Sequence, residues 1–352
     1  MSLFASRYLA EPADPHALAV DPPPRPASAP GVLFINLGTP DEPTPTAIRR
    51  YLAEFLSDPR VIEIPQPVWQ VILRLFVLPR RPHALAPRYK DIWWEEGSPL
   101  LVASRQQAEG VQQELARRGI TVHAELGMRY GNPSIASAMQ ALRDAGCERI
   151  LVVPLYPQYA ASTTATAVDK VHEYTRRRRN QPEMRFIKRF PADRGYIDAL
   201  VHSIQAHWQQ HGKAERLLLS FHGIPRVTVE QGDPYHRDCM ETVRAIRQAL
   251  GEDGARVHHA FQSRFGAQEW LQPYTEPTLR EWARSGVRSV DAMCPGFLAD
   301  CLETLEEIQV ECRDAFIEEG GETLRYIPCL NGDPQWVRAL ADIVQQNLWH
   351  SP

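Results

Sequence analysis

Short apolar runs of six or seven residues recur along the chain, and segments with helical spacing of apolar positions separate them. The runs predict eight strands, at 31–37, 122–128, 149–155, 184–190, 215–221, 257–263, 288–294 and 323–328. The segments between them predict helices, among them 44–57, 104–118, 134–145, 197–211, 238–250 and 276–285. Because strands that alternate with helices form right-handed βαβ units, the pattern indicates an α/β protein with parallel sheet.

The strands fall into two groups of about four, which predicts two similar Rossmann-like domains, each a parallel sheet flanked by helices. Each half opens with an apolar strand that runs into a turn, Asn36-Leu37-Gly38-Thr39-Pro40 in the first and Phe221-His222-Gly223-Ile224-Pro225 in the second. This repetition suggests an internal duplication with a cleft between the domains. We expect domains at 31–185 and 186–325, and a C-terminal segment, 326–352, whose helix at 334–349 packs back on the first domain.

Composition narrows the class of protein. The 352 residues are 43% hydrophobic and 23% charged, as in ordinary globular proteins, and the net charge of −4 argues against a nucleic-acid partner. The six cysteines form no C-x-x-C pair, which disfavours a zinc site or disulfide framework and favours a reducing, cytoplasmic location. Residues 1–30 hold seven prolines and predict a flexible leader without secretory character.

The chain lacks the glycine-rich motifs G-x-G-x-x-G and G-x-x-x-x-G-K-[ST], so the chemistry is expected to be independent of ATP. The longest apolar stretch, 68–78, lies between Pro67 and Pro79 and carries Gln70 and Arg74. It is much shorter than the roughly 20 residues that a membrane span needs. Integral insertion is therefore not expected, whereas peripheral contact at the inner membrane surface stays open.

Two residues at predicted strand ends are candidates for catalysis. His222 ends an apolar run, and the Gly and Pro that follow it force a turn at the carboxyl edge of the sheet, where α/β proteins bind ligands. Glu303 follows the turn at Gly296. An imidazole and a carboxylate suit proton removal and weak, exchangeable contact with a metal ion. A lone histidine at a strand end is more often structural, and the adjoining turn is what favours the functional interpretation.

Acidic residues continue after Glu303. Glu303, Glu307 and Glu311 are spaced i, i+4 and i+8, which would place them on one helix face as a path for a divalent cation. A solvated helix face explains Glu311 equally well. Aromatic and arginine residues also follow several strands, and together they suit a large, flat, apolar ligand that bears carboxylates. Those named as candidate contacts are Arg81, Tyr89, Arg129, Tyr130 and Trp270.

From about Gly31 to the last helix, the chain resembles the ferrochelatases of bacterial type. The segments that carry the resemblance are Asn36–Pro40, Phe55-Leu56-Ser57-Asp58, Gly97-Ser98-Pro99-Leu100, Tyr156-Pro157-Gln158-Tyr159, Ser162-Thr163-Thr164, Ser220–Pro225, Gly232-Asp233-Pro234-Tyr235, Phe261-Gln262-Ser263-Arg264 and Gly296–Leu305. The resemblance implies two domains around a porphyrin cleft, with His222 as the active-site histidine and Glu303 as the essential glutamate. Leu37, Ser98 and Phe297 join the candidate porphyrin contacts.

Departures from the family pattern carry further expectations. Many ferrochelatases have a histidine at the position of Cys301, so a direct metal role for this position is not expected. Ala161 stands where animal enzymes have a ligand of a 2Fe–2S cluster, and the chain stops at His350-Ser351-Pro352, so no cluster is expected. Leu37 stands where the branch that metallates coproporphyrin tends to have tyrosine, which favours protoporphyrin.

The resemblance therefore implies an ATP-independent lyase that inserts Fe2+ into protoporphyrin IX, the terminal step of haem biosynthesis, with no tightly bound cofactor and no obligate protein partner. The alternatives are a cobalt or nickel tetrapyrrole chelatase of the same fold and a two-domain small-molecule binding protein without catalysis. The stretch at 68–78 is either an apolar lip of the cleft that faces a membrane or a buried core helix. Which of His222 and Glu303 accepts protons and which binds metal is left open.

Overall fold

The computed structural model of the chain describes residues 8, 18–21 and 28–349. Two four-stranded parallel sheets form its framework, and they have the same order of strands. The first sheet has the order β2-β1-β3-β4 and the second β6-β5-β7-β8. The strands are β1 (Gly31–Thr39), β2 (His123–Gly131), β3 (Arg149–Pro154), β4 (Glu183–Phe186), β5 (Arg216–His222), β6 (Val257–Gln262), β7 (Ser289–Met293) and β8 (Thr323–Ile327). The eight predicted strands and the two parallel sheets are thereby confirmed.

The helices between the strands are α1 (Pro45–Phe55), α2 (Gln66–Ile72), α3 (Arg81–Ile92), α4 (Pro99–Arg117), α5 (Ile135–Asp144), α6 (Thr166–Thr175), α7 (Arg194–His211), α8 (Arg226–Glu230), α9 (Tyr235–Ala249), α10 (Thr275–Arg284), α11 (Leu302–Leu305), α12 (Arg313–Glu318) and α13 (Pro334–Asn347). π-Helical turns cover Leu73–Val77, Ala161–Ala165 and Glu307–Cys312, and a 3₁₀ turn covers Gly251–Arg256. Helix α4 begins at Pro99 rather than at the predicted residue 104, because Pro99 occupies the first helical turn, where proline is favoured.

Apolar side chains from both sheets belong to one continuous buried core. Val32 of the first sheet and Leu217 of the second are members of this core, and Trp336 of α13 belongs to it as well. Helices α5 and α6 cover the other face of the first sheet, and α10 and α12 cover the other face of the second. Helix α13 packs against α4 and α7. The two sheets are therefore joined through a shared interior.

Helices α1 to α3, with the π-helical turn at Leu73–Val77, form a separate lobe. Its buried cluster includes Ile48, Tyr51, Leu73 and Tyr89, and Tyr130 of β2 joins it. This lobe lies over the carboxyl end of the first sheet, because Tyr130 is near the end of β2. Leu37 of β1 and Leu302, which precedes Glu303, pack against the same cluster, so the lobe borders the candidate site.

Parts of the predicted organisation concern residues that are not described. Most of the predicted leader at 1–30 and the terminal His350-Ser351-Pro352 lie outside the described residues. The proposed domain boundaries stay predictions. Across the described part of the chain, no helix combines the length and apolar character needed to cross a bilayer.

Candidate active site

His222 is the last residue of β5 and lies beside Gln262, the last residue of β6. The next residue, Gly223, donates its N–H to the Gln262 carbonyl at 2.8 Å. A Cβ atom on residue 223 would lie 2.9 Å from that carbonyl oxygen and 3.0 Å from the Trp270 ring. Only glycine fits there, so the turn that presents the histidine depends on Gly223.

The His222 ring has a defined tautomer. Its Nδ1 lies 2.6 Å from the Gly223 carbonyl oxygen. Because a carbonyl can only accept, Nδ1 carries the proton and the Nε2 lone pair of the neutral ring is left free. The ring is half-exposed, and the centroids of the Trp270 and Phe297 rings lie 6.3 and 6.4 Å from its own. The arrangement presents one basic nitrogen between two aromatic side chains.

The carboxylates after β7 lie on a short helix and a π-helical turn. Helix α11 has only four residues, Leu302–Leu305, and in the π-helical turn that follows it Glu311 N–H donates to the Glu306 carbonyl at 2.9 Å. Residues five apart stack in such a turn, so Glu306 and Glu311 lie on the same side. The predicted row of Glu303, Glu307 and Glu311 stays a prediction, and the contacts of the acidic residues divide them into two groups.

Glu307 belongs to the inner group. Its Oε1 accepts the Ser263 N–H at 2.6 Å, and its Oε2 accepts the Ser263 hydroxyl at 2.5 Å and the Gln262 amide at 3.2 Å. Burial raises the pKa of Glu307, the nearby Glu303 raises it further, and the Ser263 hydrogen bonds and His222 lower it without cancelling the rise. Glu307 thus holds a proton at higher pH than an ordinary glutamate does, within electrostatic range of both candidate catalytic residues.

The outer group consists of Glu306 and Glu311. Both pair with Arg88 of α3, at 3.2 Å and 2.7 Å. The side chain of Glu311 is 44% exposed, and it points to the lobe rather than to His222. The alternative of a solvated residue, which the sequence left open for Glu311, fits this position.

Cys301 precedes α11 and serves as its N-cap, in a capping box with Thr304. It is buried against Leu37 and Phe297. Burial and the neighbouring Glu303 raise the pKa of the Cys301 thiol well above its usual range. A direct metal role for residue 301 is not expected from the sequence, and this expectation stays a prediction.

Several predicted porphyrin contacts come from both halves of the chain and lie near one another. Leu37 of β1 and Phe297, which follows β7, pack against the same buried cluster. Ser98 is buried and accepts the Thr39 hydroxyl hydrogen bond at 2.8 Å. Tyr89 is buried at the lobe, where burial and the Glu303 carboxylate raise its pKa well above the usual range. Trp270 is 4% exposed and borders a cavity of about 500 Å³ beyond the His222 turn.

The two predicted arginine contacts differ sharply. Arg81 is exposed at the start of α3, with its guanidinium carbon 5.9 Å from the centroid of the Phe265 ring. Arg129 is mostly buried and forms an ion pair with the buried carboxylate of Asp58. Tyr130 is fully buried and donates its hydroxyl to Asp58 at 2.8 Å. The geometry therefore gives Arg129 and Tyr130 structural partners and leaves the predicted porphyrin contact of both without support.

Sequence reasoning missed the residues that hold the candidate catalytic groups. Ser263 adopts φ of 64°, the left-handed region that residues other than glycine rarely occupy, and both of its donors reach Glu307. Ser263 and Gln262 belong to one of the segments that resemble the family. Nothing in the spacing of residues indicates that Ser263 binds a glutamate 44 residues away. Motif membership was the only signal.

The family model for ferrochelatase matches residues 29–348 of the chain. The chain belongs to the ferrochelatase family. It is 57% identical over 346 residues to the ferrochelatase of Bordetella pertussis, across 98% of this chain and 96% of that protein. It is 54% identical over 310 residues to the ferrochelatase of an Azoarcus species, strain BH72, across 88% of this chain and 85% of that protein.

A solved structure, SirB from Bacillus subtilis with Fe3+, has a TM-score of 0.53 and 17% identity, and the match covers 71% of this chain and 91% of that one. At this identity the likeness concerns the fold alone, and it agrees with the two-domain chelatase architecture. The family match makes the chain a lyase of haem biosynthesis that uses ferrous iron and a porphyrin as substrates. It supports ferrochelatase activity over both alternatives left open by the sequence.

Proposed function

We propose that this chain inserts Fe2+ into protoporphyrin IX and that His222 and Glu303 carry the proton and metal transfers. The observation that carries the proposal is the His222 ring, whose Nδ1 is held by the Gly223 carbonyl while Nε2 is free. The family membership supplies the reaction, and the geometry supplies a base of the required kind at the carboxyl edge of the second sheet.

The reaction sets two requirements. A free porphyrin is planar, and its two inner pyrrole N–H protons must leave before both charges of the iron are balanced. The ring must also bend, so that a nitrogen lone pair points out of its plane toward the metal. Contacts with the ring edge offset that distortion, since binding energy from remote groups stabilises a strained geometry at the reacting centre.

His222 accepts the pyrrole protons in this proposal, because its Nε2 lone pair is free and the neutral ring does not repel Fe2+. Glu303 provides the negative charge that receives the iron, since carboxylate oxygen is a suitable and exchangeable ligand for Fe2+. Glu307 lies within electrostatic range of both residues. Its raised pKa and its fixed hydrogen bonds to Ser263 suit a proton acceptor that passes protons away from the site.

The ring contacts divide into apolar walls and one charged rim residue. The proposed walls are Leu37, Phe297, Trp270 and Tyr89, and the first two pack against one buried cluster from different halves of the chain. Arg81 is the proposed partner of a propionate, because its guanidinium is exposed at the edge of the lobe. Leu37 favours protoporphyrin in this position, where a tyrosine hydroxyl would need a polar partner.

Steady-state insertion assays test the proposal. The protein is supplied with Fe2+ and either protoporphyrin or coproporphyrin, and then with Co2+ or Ni2+ and protoporphyrin. We expect Fe2+ insertion into protoporphyrin with a higher kcat/KM than into coproporphyrin. Preference for coproporphyrin would overturn the substrate assignment, and absence of Fe2+ insertion would overturn the function.

We also propose that the protein meets a membrane from the cytoplasmic side through the outer face of α2 and the following π-helical turn. Val68 is 57% exposed, Leu75 62% and Phe76 56%, whereas in this segment only Leu73 is buried. The alternative of a buried core helix does not fit these exposures. Arg74, Arg80 and Arg81 flank the apolar face, and a basic flank favours a surface of anionic lipid.

Flotation with vesicles that contain anionic lipid tests this contact. The double change Leu75→Glu and Phe76→Glu is expected to abolish flotation, because it puts two charges on the apolar face. Ile317→Glu is the matched control, since Ile317 is an exposed apolar residue, 46% accessible, on α12 of the second half. Equal flotation of all three proteins would contradict the proposal.

We propose that the protein holds no 2Fe–2S cluster. Ala161 offers only a methyl group at the internal position where the resemblance implies a cluster ligand in animal enzymes. Iron and acid-labile sulfide analysis of the purified protein tests this, and stoichiometric sulfide would contradict it.

A further inference from the structure

The segment Gly232-Asp233-Pro234-Tyr235 has no role in the chemistry described so far. It leads into α9, and Tyr235 is the first residue of that helix. The Tyr235 side chain is 7% exposed and its hydroxyl donates to the main-chain carbonyl of His222 at 2.9 Å. A buried tyrosine on another element is thus bonded directly to the backbone of the catalytic histidine.

Both polar groups of the peptide between His222 and Gly223 are therefore hydrogen-bonded. Its carbonyl accepts from Tyr235, and its N–H donates to the Gln262 carbonyl at 2.8 Å. The next carbonyl, that of Gly223, is the one that accepts from Nδ1 of the ring. Rotation of the first peptide plane would move the second, so the tautomer of His222 depends on the orientation that Tyr235 helps to fix.

Asp233 extends this connection to the first half of the molecule. Its Oδ1 accepts the Tyr235 N–H at 3.0 Å, and its Oδ2 accepts the N–H of Ala161 at 2.7 Å. Ala161 begins the π-helical turn after β3. One carboxylate therefore bridges the first sheet's loop and the residue that touches His222.

Neighbouring contacts keep this loop in place on α9. Asp238 is fully buried, accepts the Tyr159 N–H at 3.1 Å and pairs with Arg189 at 2.6 Å. Gln158 donates to the Thr242 hydroxyl at 2.8 Å. The loop at 156–161 is therefore docked along the first turns of α9, and Asp233 is its contact nearest to Tyr235.

We propose that Tyr235 is a positioning residue for His222 and that Asp233 couples its placement to the loop at 156–161 of the first half. Tyr235 fixes the His222–Gly223 peptide, and through it the Nδ1–H tautomer that leaves Nε2 free. The proposal rests on the proposed function of His222 as the base. It assigns to the Gly-Asp-Pro-Tyr segment the task of aligning His222 of the second half with the loop at 156–161 of the first.

Tyr235→Phe tests the proposal, because it removes one hydroxyl and keeps the ring that packs in the core. We expect kcat for iron insertion to fall about tenfold, as for the loss of one buried hydrogen bond, with the KM for protoporphyrin within about twofold. The ¹⁵N spectrum of the His222 imidazole should change from the Nδ1–H tautomer to a mixture with Nε2–H. Tyr174→Phe is the matched control, since its half-buried hydroxyl bonds Gln140 at 3.0 Å, away from His222.

Wild-type kcat and an unchanged tautomer in folded Tyr235→Phe would overturn the proposal. If that variant does not fold, Asp233→Asn decides, because one amide oxygen cannot replace both carboxylate contacts at full strength. A mixed tautomer with lowered kcat in Asp233→Asn supports the coupling, and a wild-type spectrum overturns it. Failure of the proposed function is recognised separately, as absence of iron insertion by the unaltered protein with an intact Nδ1–H signal.

Discussion

The first and second halves of the molecule end their central strands in different ways. In β1, Asn36 donates to the Ser104 hydroxyl at 2.9 Å and Thr39 to the Ser98 hydroxyl at 2.8 Å, so these side chains bond to α4 and the residue that precedes it. In β5, the final side chain is a histidine with one nitrogen left free. The two sheets share one strand order, and the turn after the central strand is where the half that carries the proposed base differs from the other.

Among the tests of this comparison, His222→Ala is expected to have the largest effect. It removes the free base, and we expect kcat to fall about a thousandfold, within the range of general-base catalysis, with porphyrin binding retained. Thr39→Val is the corresponding change in the first half, which removes one hydrogen bond and is expected to cost about 1 kcal/mol of unfolding free energy. Iron insertion and porphyrin fluorescence titration measure kcat and porphyrin binding in both variants, and urea unfolding measures the stability of Thr39→Val. Comparable losses of kcat in the two variants would show that the halves do not differ as described.

Asp58→Asn tests the first half through stability. Asp58 is buried and binds Arg129, Tyr130 and Thr166, so its loss should lower the unfolding free energy by about 3 kcal/mol at pH 7. Hydrogen bonds and Arg129 hold the pKa of Asp58 below its usual range against the opposing effect of burial. A lowered carboxyl pKa stabilises the fold above about pH 4 and loses that effect as the pH falls further.

Urea unfolding at pH 7 and below pH 4 measures the unfolding free energies of wild type and Asp58→Asn. The difference between them should be smaller in acid. Asp198→Asn is the control, because its pair with Arg194 is 3.6 Å long and exposed, and it should change stability by less than about 0.5 kcal/mol. A gap that widened in acid would contradict the assignment.

Glu307→Gln sharpens the comparison within the second half. The substitution keeps the shape but removes the proton acceptor, so we expect kcat to fall about tenfold at neutral pH. Because the pKa of Glu307 is raised, wild-type activity should decline as the pH falls through it, and the acidic limb should be less steep in the variant. The pH dependence of kcat measures this, and an identical limb in both proteins would remove Glu307 from the proton path.

Glu311→Ala is expected to have the smallest effect. Glu311 lies outside the inner group, and its exposed pair with Arg88 should contribute less than about 1 kcal/mol. Its kcat should stay within about twofold of wild type, since it makes no contact with the residues around His222. A loss as large as that of Glu307→Gln would show that Glu311 acts together with the inner group.

The strands were predictable because each is an apolar run that ends at a turn, and both features are visible in the local sequence. Helix α1 was predictable for the same reason, since the Thr44 hydroxyl caps it and Pro45 begins it. The π-helical turn after α11 was not predictable. The residues around Glu303 have an ordinary helical spacing, and the hydrogen bonds that Glu307 accepts from Ser263, which follows β6, join residues 44 positions apart in the chain.

The candidate site was predictable only in part, for a physical reason. His222 and Glu303 stand at strand ends, and the order of elements alone brings strand ends together. The partners of Arg129 depend on burial and on Asp58, which is separated from it by 71 residues. An arginine in an aromatic segment has the same pattern whether it faces a ligand or an internal carboxylate.

The continuous core between the sheets limits how substrate and product can exchange. Moving the two halves apart like a hinge would bring Phe221, Leu217 and Trp336 into water, which makes wide opening costly. The cluster around α1 to α3 is separate from that core, so an opening at the lobe would leave the shared interior of the two sheets covered.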